Sequence, residues 1–323
     1  MVSVESEIEV WLRKAEKSLK TSIFKRSPDY DSAIEYYTSA ALGYRKVNDL
    51  HKAAEIYQKI SELNLQTNSY FQAARNFETA ALLRKDIQQY DAAVELFSHA
   101  GEYYQRCGAV DSAVFLYARA AKSLESALPL QAAKFYEKAA DACITEERFN
   151  DAIDHFSNAA RISVRIERFE DAARLLRQYI VYCLKVIATQ SSACDGADES
   201  SVYHLIARAV LVLILMKLAV PDEVAAGKIY SEAIQQWKFN QTEEGVLANS
   251  LIPAFEQRDT DTTRRLLQKP CIRNLDLAYT RLTKAVLQIV EKEAKPQGES
   301  TVELDSSSKS IDHSDHVFED DIC

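Results

Sequence analysis

Glycine and proline are scarce in this chain. Only 7 Gly and 6 Pro occur in 323 residues, and no useful length of it alternates between apolar and polar residues. This composition excludes a β-rich fold, which needs glycine and proline at its many turns. Between Pro28 and Pro129 there is no proline at all, so helices can follow one another there without a helix breaker. The sequence predicts an all-α fold.

Sequence motifs for catalysis are also missing. The closest two glycines, Gly101 and Gly108, are seven positions apart, which fits neither a P-loop nor a dinucleotide-binding loop. The 6 cysteines are isolated and form no CxxC pair, so we expect reduced thiols. His313 and His316 form an HxxH in a Ser/Asp-rich segment, where metal binding would be weak. We predict a binding protein that is not an enzyme and needs no cofactor and no metal.

Long apolar runs and an excess of basic charge are absent as well. The most apolar stretch, residues 209–216, is eight residues long, against the roughly 20 that span a bilayer, so we expect a buried helix there. Net charge is −9, and residues 295–323 account for −6 of it. A weakly acidic, mixed-sign body disfavours nucleic acid as a partner. The acidic, amphipathic N-terminal stretch is unlike a secretory signal, so we expect a cytoplasmic protein with peripheral membrane contact only.

What the chain does have is a repeat of about 20 residues. An apolar or aromatic residue is followed three positions later by Ala, four further on by a bulky residue, and usually three later by a second Ala, as in Tyr70/Ala73/Phe77/Ala80. These spacings lie on one face of a helix. The middle alanines are Ala33, Ala53, Ala73, Ala93, Ala113, Ala132, Ala152 and Ala172. Helices of roughly 14 to 16 residues with short turns would form four hairpins of about 40 residues, a tetratricopeptide-like α-α superhelix, or solenoid.

The repeat covers only part of the chain, and the sequence divides into three parts. Residues 1–188 hold a helix at about 4–20 and the solenoid, and residues 200–294 form a C-terminal helical bundle after a Ser/Ala/Asp/Gly linker, Thr189 to Ser201. Within the bundle we predict helices at about 202–219, 222–238, 243–257 and 272–292. Pro221 should start the second and Pro253 should bend or break the third. The acidic residues 295–323 should be disordered.

The segment between the first two helices carries Ile23, Phe24, Lys25 and Arg26 in a polar, basic loop. The two apolar side chains could dip into a membrane while the cations meet anionic head groups. Packing of Ile23 and Phe24 onto the first hairpin is the equally weighted alternative.

Several blocks resemble the soluble NSF attachment protein (SNAP) family, closest to its gamma branch. They are KAEKSLKTSIFKRSPDYDSA (14–33), the helical register up to about residue 183, FEQRDTDTTRRLLQKPCIRNLDLAYTRL (255–282) and the ending FEDDIC. The resemblance implies an adaptor that binds an assembled SNARE four-helix bundle and recruits the hexameric NSF ATPase, which pulls the bundle apart for further membrane fusion and vesicle transport.

The resemblance also implies sites. The family's membrane loop falls on Ile23 and Phe24, with Lys25 and Arg26 beside them, which favours the lipid-contact interpretation. The family's ATPase-stimulating end falls on Glu319, Asp320, Asp321 and Ile322, and acids of the C-terminal bundle also face the ATPase; the candidates are Glu243, Glu244, Glu256, Asp259 and Asp261. The family binds the acidic SNARE bundle through basic side chains of its middle repeats, for which the candidates are Arg119, Lys122, Lys138, Arg161 and Arg165. A solvated outer face is the alternative for each of these cations.

A different class of function is a tetratricopeptide-type scaffold for short peptide tails of chaperones or other partners. It requires a clamp of Lys, Arg and Asn around a terminal carboxylate. The inner-face positions of the repeat are mainly Ala and aromatics, so this hypothesis ranks second.

Overall fold

The structure, a computed structural model, describes residues 4–21, 27–191 and 199–294, without the side chains of 190–191 and 199–201. Within that part, fifteen α-helices and one short 3-10 helix (Phe239–Gln241) form the fold, and no strand occurs. The helices are α1 (Val4–Leu19), α2 (Tyr30–Lys46), α3 (Leu50–Gln66), α4 (Tyr70–Asp86), α5 (Tyr90–Arg106), α6 (Val110–Leu124), α7 (Pro129–Thr145), α8 (Phe149–Arg165), α9 (Phe169–Ser191), α10 (Glu199–Ala219), α11 (Glu223–Trp237), α12 (Glu243–Glu256), α13 (Thr260–Leu267), α14 (Pro270–Arg273) and α15 (Leu277–Ala294). The all-α fold is confirmed.

The repeat decides where the helices begin. Each of α2 to α9 starts at the first residue of one copy of the pattern. Asp29 and Asp49 cap α2 and α3 by accepting hydrogen bonds from the backbone N–H groups of Ser32 and Lys52, both at 3.1 Å. Such caps satisfy donors that the first helical turn leaves free.

Six of the seven turns between α2 and α9 share one geometry. Each of these six has one residue with a positive φ, between 56° and 76°; these are Asn48, Asn68, Gln88, Gly108, Glu147 and Glu167. The turn between α6 and α7 has none, and there the period is 19 residues. A left-handed residue after a helix reverses the chain within three residues, which sets the 20-residue period. Only one of the six is glycine, so the other five accept a backbone conformation that a side chain disfavours.

Consecutive helices pack side by side along the solenoid, and the alanine stripe forms the seam. All eight middle alanines are fully buried, and Phe97, Tyr117 and Phe156 fill the space beside them. The stripe is therefore a packing surface. Small side chains let the helix axes approach, and each interface stabilises its neighbours.

The last helices gather around α10. This helix contacts α9, α11, α12 and α15, and α15 also packs on α8. By length and composition, residues 202–219 are the one window of the described chain that could cross a membrane. Ile206 to Met216 are almost all buried inside the protein, however, so the expected buried helix is confirmed. The division into solenoid, bundle and tail stays a prediction.

Several local predictions for the C-terminal part were wrong. Pro253 does not break α12, because it lies in the last turn of the helix, where its missing N–H costs one hydrogen bond. Asp222, which accepts from the N–H of Ala225 at 3.0 Å, caps α11 in place of Pro221. Two short helices, α13 and α14, precede α15, which starts at Leu277. The described helices also extend into the predicted linker, up to Ser191 and from Glu199.

Candidate partner-binding surfaces

Four of the five predicted SNARE-facing cations are paired with an acid of the same chain. Arg119 pairs with Glu78, and Arg165 donates to Glu125 at 2.8 Å. The Nζ of Lys138 lies 3.9 Å from Glu102, and Arg161 lies 3.8 Å from Asp276 of the segment before α15. Lys122 is exposed and has no ion pair within the described part of the chain.

The pairs divide these cations between two rows of helices. Glu78–Arg119 and Glu125–Arg165 connect α4, α6 and α8, whereas Glu102–Lys138 connects α5 with α7. Each pair joins residues about one hairpin apart in sequence. The structure therefore does not bring all five cations together on one row: Lys138 belongs to the second.

A connected cluster of side chains spans α4, α5 and α6. The ring of Phe71 packs edge-on against Tyr104 at 5.3 Å, and the Tyr104 hydroxyl donates to Glu78 at 2.9 Å. Glu78 in turn pairs with Arg119, whose guanidinium lies 5.5 Å from the centre of the Phe115 ring. We call these five residues, Phe71, Glu78, Tyr104, Phe115 and Arg119, the α4–α6 face.

Two aromatic rings of this face are open to solvent. Phe71 is 44% exposed and Phe115 is 64% exposed. The same positions in the other repeat helices, one and five residues after the helix start, are polar or charged except Leu130. That departure from the repeat is the signal that sequence reasoning missed.

Two exposed cations lie on the helices that carry the α4–α6 face. Burial raises the pKa of Tyr104, so its hydroxyl stays protonated and holds Glu78 in place. Glu78 itself is mostly buried, while Arg75 and Lys122 are exposed on α4 and α6, with no ion pair among the described residues. Arg75 follows Phe71 by four positions and Lys122 follows Phe115 by seven, so each cation shares a helix face with an aromatic ring. An acidic helical partner fits this combination.

The predicted acids of the C-terminal part do not form one group. Glu256, Asp259 and Asp261 are exposed around the turn between α12 and α13, and Glu243 is exposed at the start of α12. By helix geometry that start is roughly 20 Å away. Hydrogen bonds from Thr262 lower the pKa of Asp259, which caps α13.

Glu244 does not suit the role predicted for it. Its side chain is 2% exposed, and its carboxylate lies 3.4 Å from Nδ1 of His204. Successive residues of a helix point in different directions, so Glu243 is turned outward while Glu244 is turned into the core. The Glu244 carboxylate therefore does not face a partner.

Eight predicted contact residues lie outside the described residues. They are the membrane candidates Ile23, Phe24, Lys25 and Arg26 and the ATPase candidates Glu319, Asp320, Asp321 and Ile322.

The described residues include no group of three or more side chains that could hold a metal ion. Cys143 and Cys183 are buried in α7 and α9, and burial raises the pKa of their thiols to about 11 and about 12. Such thiols are poor nucleophiles at neutral pH.

Comparison with known proteins identifies a family. A family model described as soluble NSF attachment protein, SNAP, matches residues 6–269, a range that includes the α4–α6 face and the acids of α12 and α13. No curated protein matches the chain. Among solved structures, BtubC from P. vanneervenii is 13% identical, with 75% of this chain and 94% of that chain covered and a TM-score of 0.33. The apo form of RapI is 14% identical, with 88% and 99% covered and a TM-score of 0.31.

Proposed function

The chain belongs to the soluble NSF attachment protein (SNAP) family, and we propose that it is a gamma-type member that binds assembled SNARE bundles and recruits NSF to dismantle them. The family fixes the general role, a non-enzymatic adaptor between SNAREs and NSF that is soluble and peripherally associated with membranes. The gamma assignment rests on the sequence blocks 14–33 and 255–282 and on the ending FEDDIC.

The observation that supports SNARE binding best is the α4–α6 face. Phe71 and Phe115 offer apolar anchors, and Arg75, Arg119 and Lys122 surround them with positive charge. An acidic bundle of helices would be steered by the cations and held by the rings. We also propose Lys138, Arg161 and Arg165 as SNARE contacts. On binding, each would leave its acidic partner within the chain and pair with an acid of the SNARE bundle.

Replacing Phe115 tests this surface. Phe115→Ala should weaken binding to an assembled SNARE bundle about thirtyfold, because truncation of an aromatic anchor costs roughly 2 kcal/mol. Leu277→Ala is the matched control, since Leu277 is an apolar side chain exposed to 73% at the start of α15. Surface plasmon resonance on immobilised bundles measures both. Equal affinities of the two variants would refute the α4–α6 face as the binding surface.

For the ATPase side we propose Glu243, Glu256, Asp259 and Asp261 together with Glu319, Asp320, Asp321 and Ile322. The described acids are exposed, and carboxylates on a helical turn suit a basic partner surface. Glu244 is left out because it is buried. NSF performs the ATP hydrolysis, and the adaptor contributes the geometry that couples NSF to the bundle.

For the membrane we propose that Ile23 and Phe24 enter the lipid and that Lys25 and Arg26 meet anionic head groups. Full burial of the two apolar side chains would contribute roughly 3–6 kcal/mol, a reversible attachment. Ile23→Ser/Phe24→Ser should abolish sedimentation with anionic liposomes at unchanged helix content by circular dichroism. Unchanged sedimentation would show that these side chains pack onto the protein instead.

A further inference from the structure

An apolar groove runs between α9 and α11. Its floor is formed by α10, which packs on both helices, and it contains a cavity of about 280 Å³. A smaller cavity of about 30 Å³ continues it toward Val220 and shares Arg177, Leu213 and Ile229 with it. The apolar lining includes Val210 and Leu213 of α10, Val181 and Leu184 of α9, and Ile229 and Trp237 of α11. Val181 is half exposed, so the groove is an open apolar surface.

Charges at the rim restrict what the groove can hold. Arg177 on the α9 side and Glu232 on the α11 side are exposed. Neither forms an ion pair with another described residue. Lys217 is already paired with Glu170 at 3.2 Å. An occupant should therefore be apolar on its buried face and carry its acids toward α9.

The chain itself leaves the described structure beside this groove. Helix α15 ends at Ala294, and the preceding residue, Glu293, pairs with Arg258. The same Arg258 donates at 2.9 Å to Glu223, the first residue of α11. The described chain therefore ends close to the end of α11 that borders the smaller cavity.

One segment of residues 295–323 matches the groove chemically. Residues 317–322, Val-Phe-Glu-Asp-Asp-Ile, combine the only aromatic side chain of that range with three consecutive acids between Phe318 and Ile322. A random coil as long as the 22 intervening residues would span roughly 26 Å root mean square, comparable to the length of α11. A tether of this kind gives an effective concentration on the order of millimolar.

We propose that residues 317–322 dock into the α9–α11 groove of their own chain. Phe318 and Ile322 cover the apolar floor, and the acids Glu319 to Asp321 face Arg177. Docking withholds from other proteins the same residues that we propose for NSF contact, so it would keep the adaptor's ATPase-stimulating end covered until a partner displaces it. The docking stands independently of the SNARE and NSF proposal, and its test uses neither partner.

Trp237 reports on the groove directly. The chain has 2 Trp, so Trp11→Phe leaves Trp237 as the sole tryptophan of the full chain. In that background, Phe318→Ser/Ile322→Ser removes the proposed anchors, and Val302→Ser/Leu304→Ser removes two apolar residues elsewhere in the same range. Arg177→Glu tests the charge contact from the groove side at an exposed position. The readouts are the acrylamide quenching constant and the emission maximum of Trp237.

The proposal predicts stronger quenching and red-shifted emission for Phe318→Ser/Ile322→Ser and for Arg177→Glu, and no change for Val302→Ser/Leu304→Ser. Unchanged quenching in all variants would overturn it, and so would a change in the Val302/Leu304 variant alone. The protein with the unaltered tail should keep Trp237 protected at every concentration. Protection that disappears on dilution would also overturn the proposal, since the occupant of the groove would then be the tail of a second copy.

Discussion

At the scale of single residues, Gly101 shows how closely the repeat helices approach. A β-carbon added to this residue of α5 would overlap the ring of Tyr117 from α6, and Tyr117 is itself fully buried. Gly227 in α11 is the opposite case, because a β-carbon there meets nothing within 4 Å.

The two glycines therefore predict opposite effects of the same substitution. Gly101→Ala should lower the free energy of unfolding by about 1–3 kcal/mol, because Tyr117 must shift in a packed core. Gly227→Ala should raise it by about 0.5–1 kcal/mol, the gain in helix propensity. Urea unfolding followed by circular dichroism measures both. A Gly101→Ala protein as stable as the parent would show that this interface is looser than the structure has it.

Sequence reasoning at this scale identified the buried alanines and missed the exposed rings. A spacing of three and four tells which side of a helix a residue occupies, and the middle alanines share one side. It does not tell which neighbour lies opposite, so the network from Phe71 through Glu78 to Phe115 could not be predicted. For the same reason Glu243 and Glu244 were predicted alike, although one is exposed and the other buried.

At the scale of helices, ion pairs tie each row of the solenoid together. Glu78 is 16% exposed, accepts from Tyr104 and pairs with Arg119, so it links α4, α5 and α6. Glu102 is 59% exposed, and its oxygen lies 3.9 Å from Lys138. The two pairs thus make the same kind of connection in different surroundings, one mostly buried and one in solvent.

Glu78→Gln should lower the free energy of unfolding by about 1–3 kcal/mol, since it removes a charged acceptor from a partly buried network. Glu102→Gln should change it by less than about 1 kcal/mol, because solvent screens an exposed pair. Thermal or urea unfolding of the two variants makes the comparison. Equal effects would mean that the α4–α6 network contributes no more than a surface pair.

The helices of the solenoid were predictable because every copy begins with the same pattern. Their ends were less so: turn residues such as Gln88 and Glu147 take a left-handed backbone without being glycine or asparagine. In the C-terminal part, no repeat exists to align one helix with another, and helices of eight and four residues such as α13 and α14 carry too few apolar positions to show a period.

At the scale of the whole molecule, the surfaces proposed for the two partners lie on different helices. The exposed rings and cations lie on α4 and α6, and the exposed acids lie on α12 and at the turn before α13. Such a layout suits a rigid connector between an acidic bundle and a basic ATPase. On this proposal, the folded stack sets the distance between the two surfaces.

The most direct test of the adaptor role is ATP hydrolysis by NSF on liposomes that carry assembled SNARE complexes. We expect the full chain to stimulate hydrolysis, and a variant without residues 319–323 to bind the complexes still but to lose the stimulation. If neither form stimulates hydrolysis, the adaptor role is contradicted, and a scaffold for peptide tails becomes the better description of this solenoid.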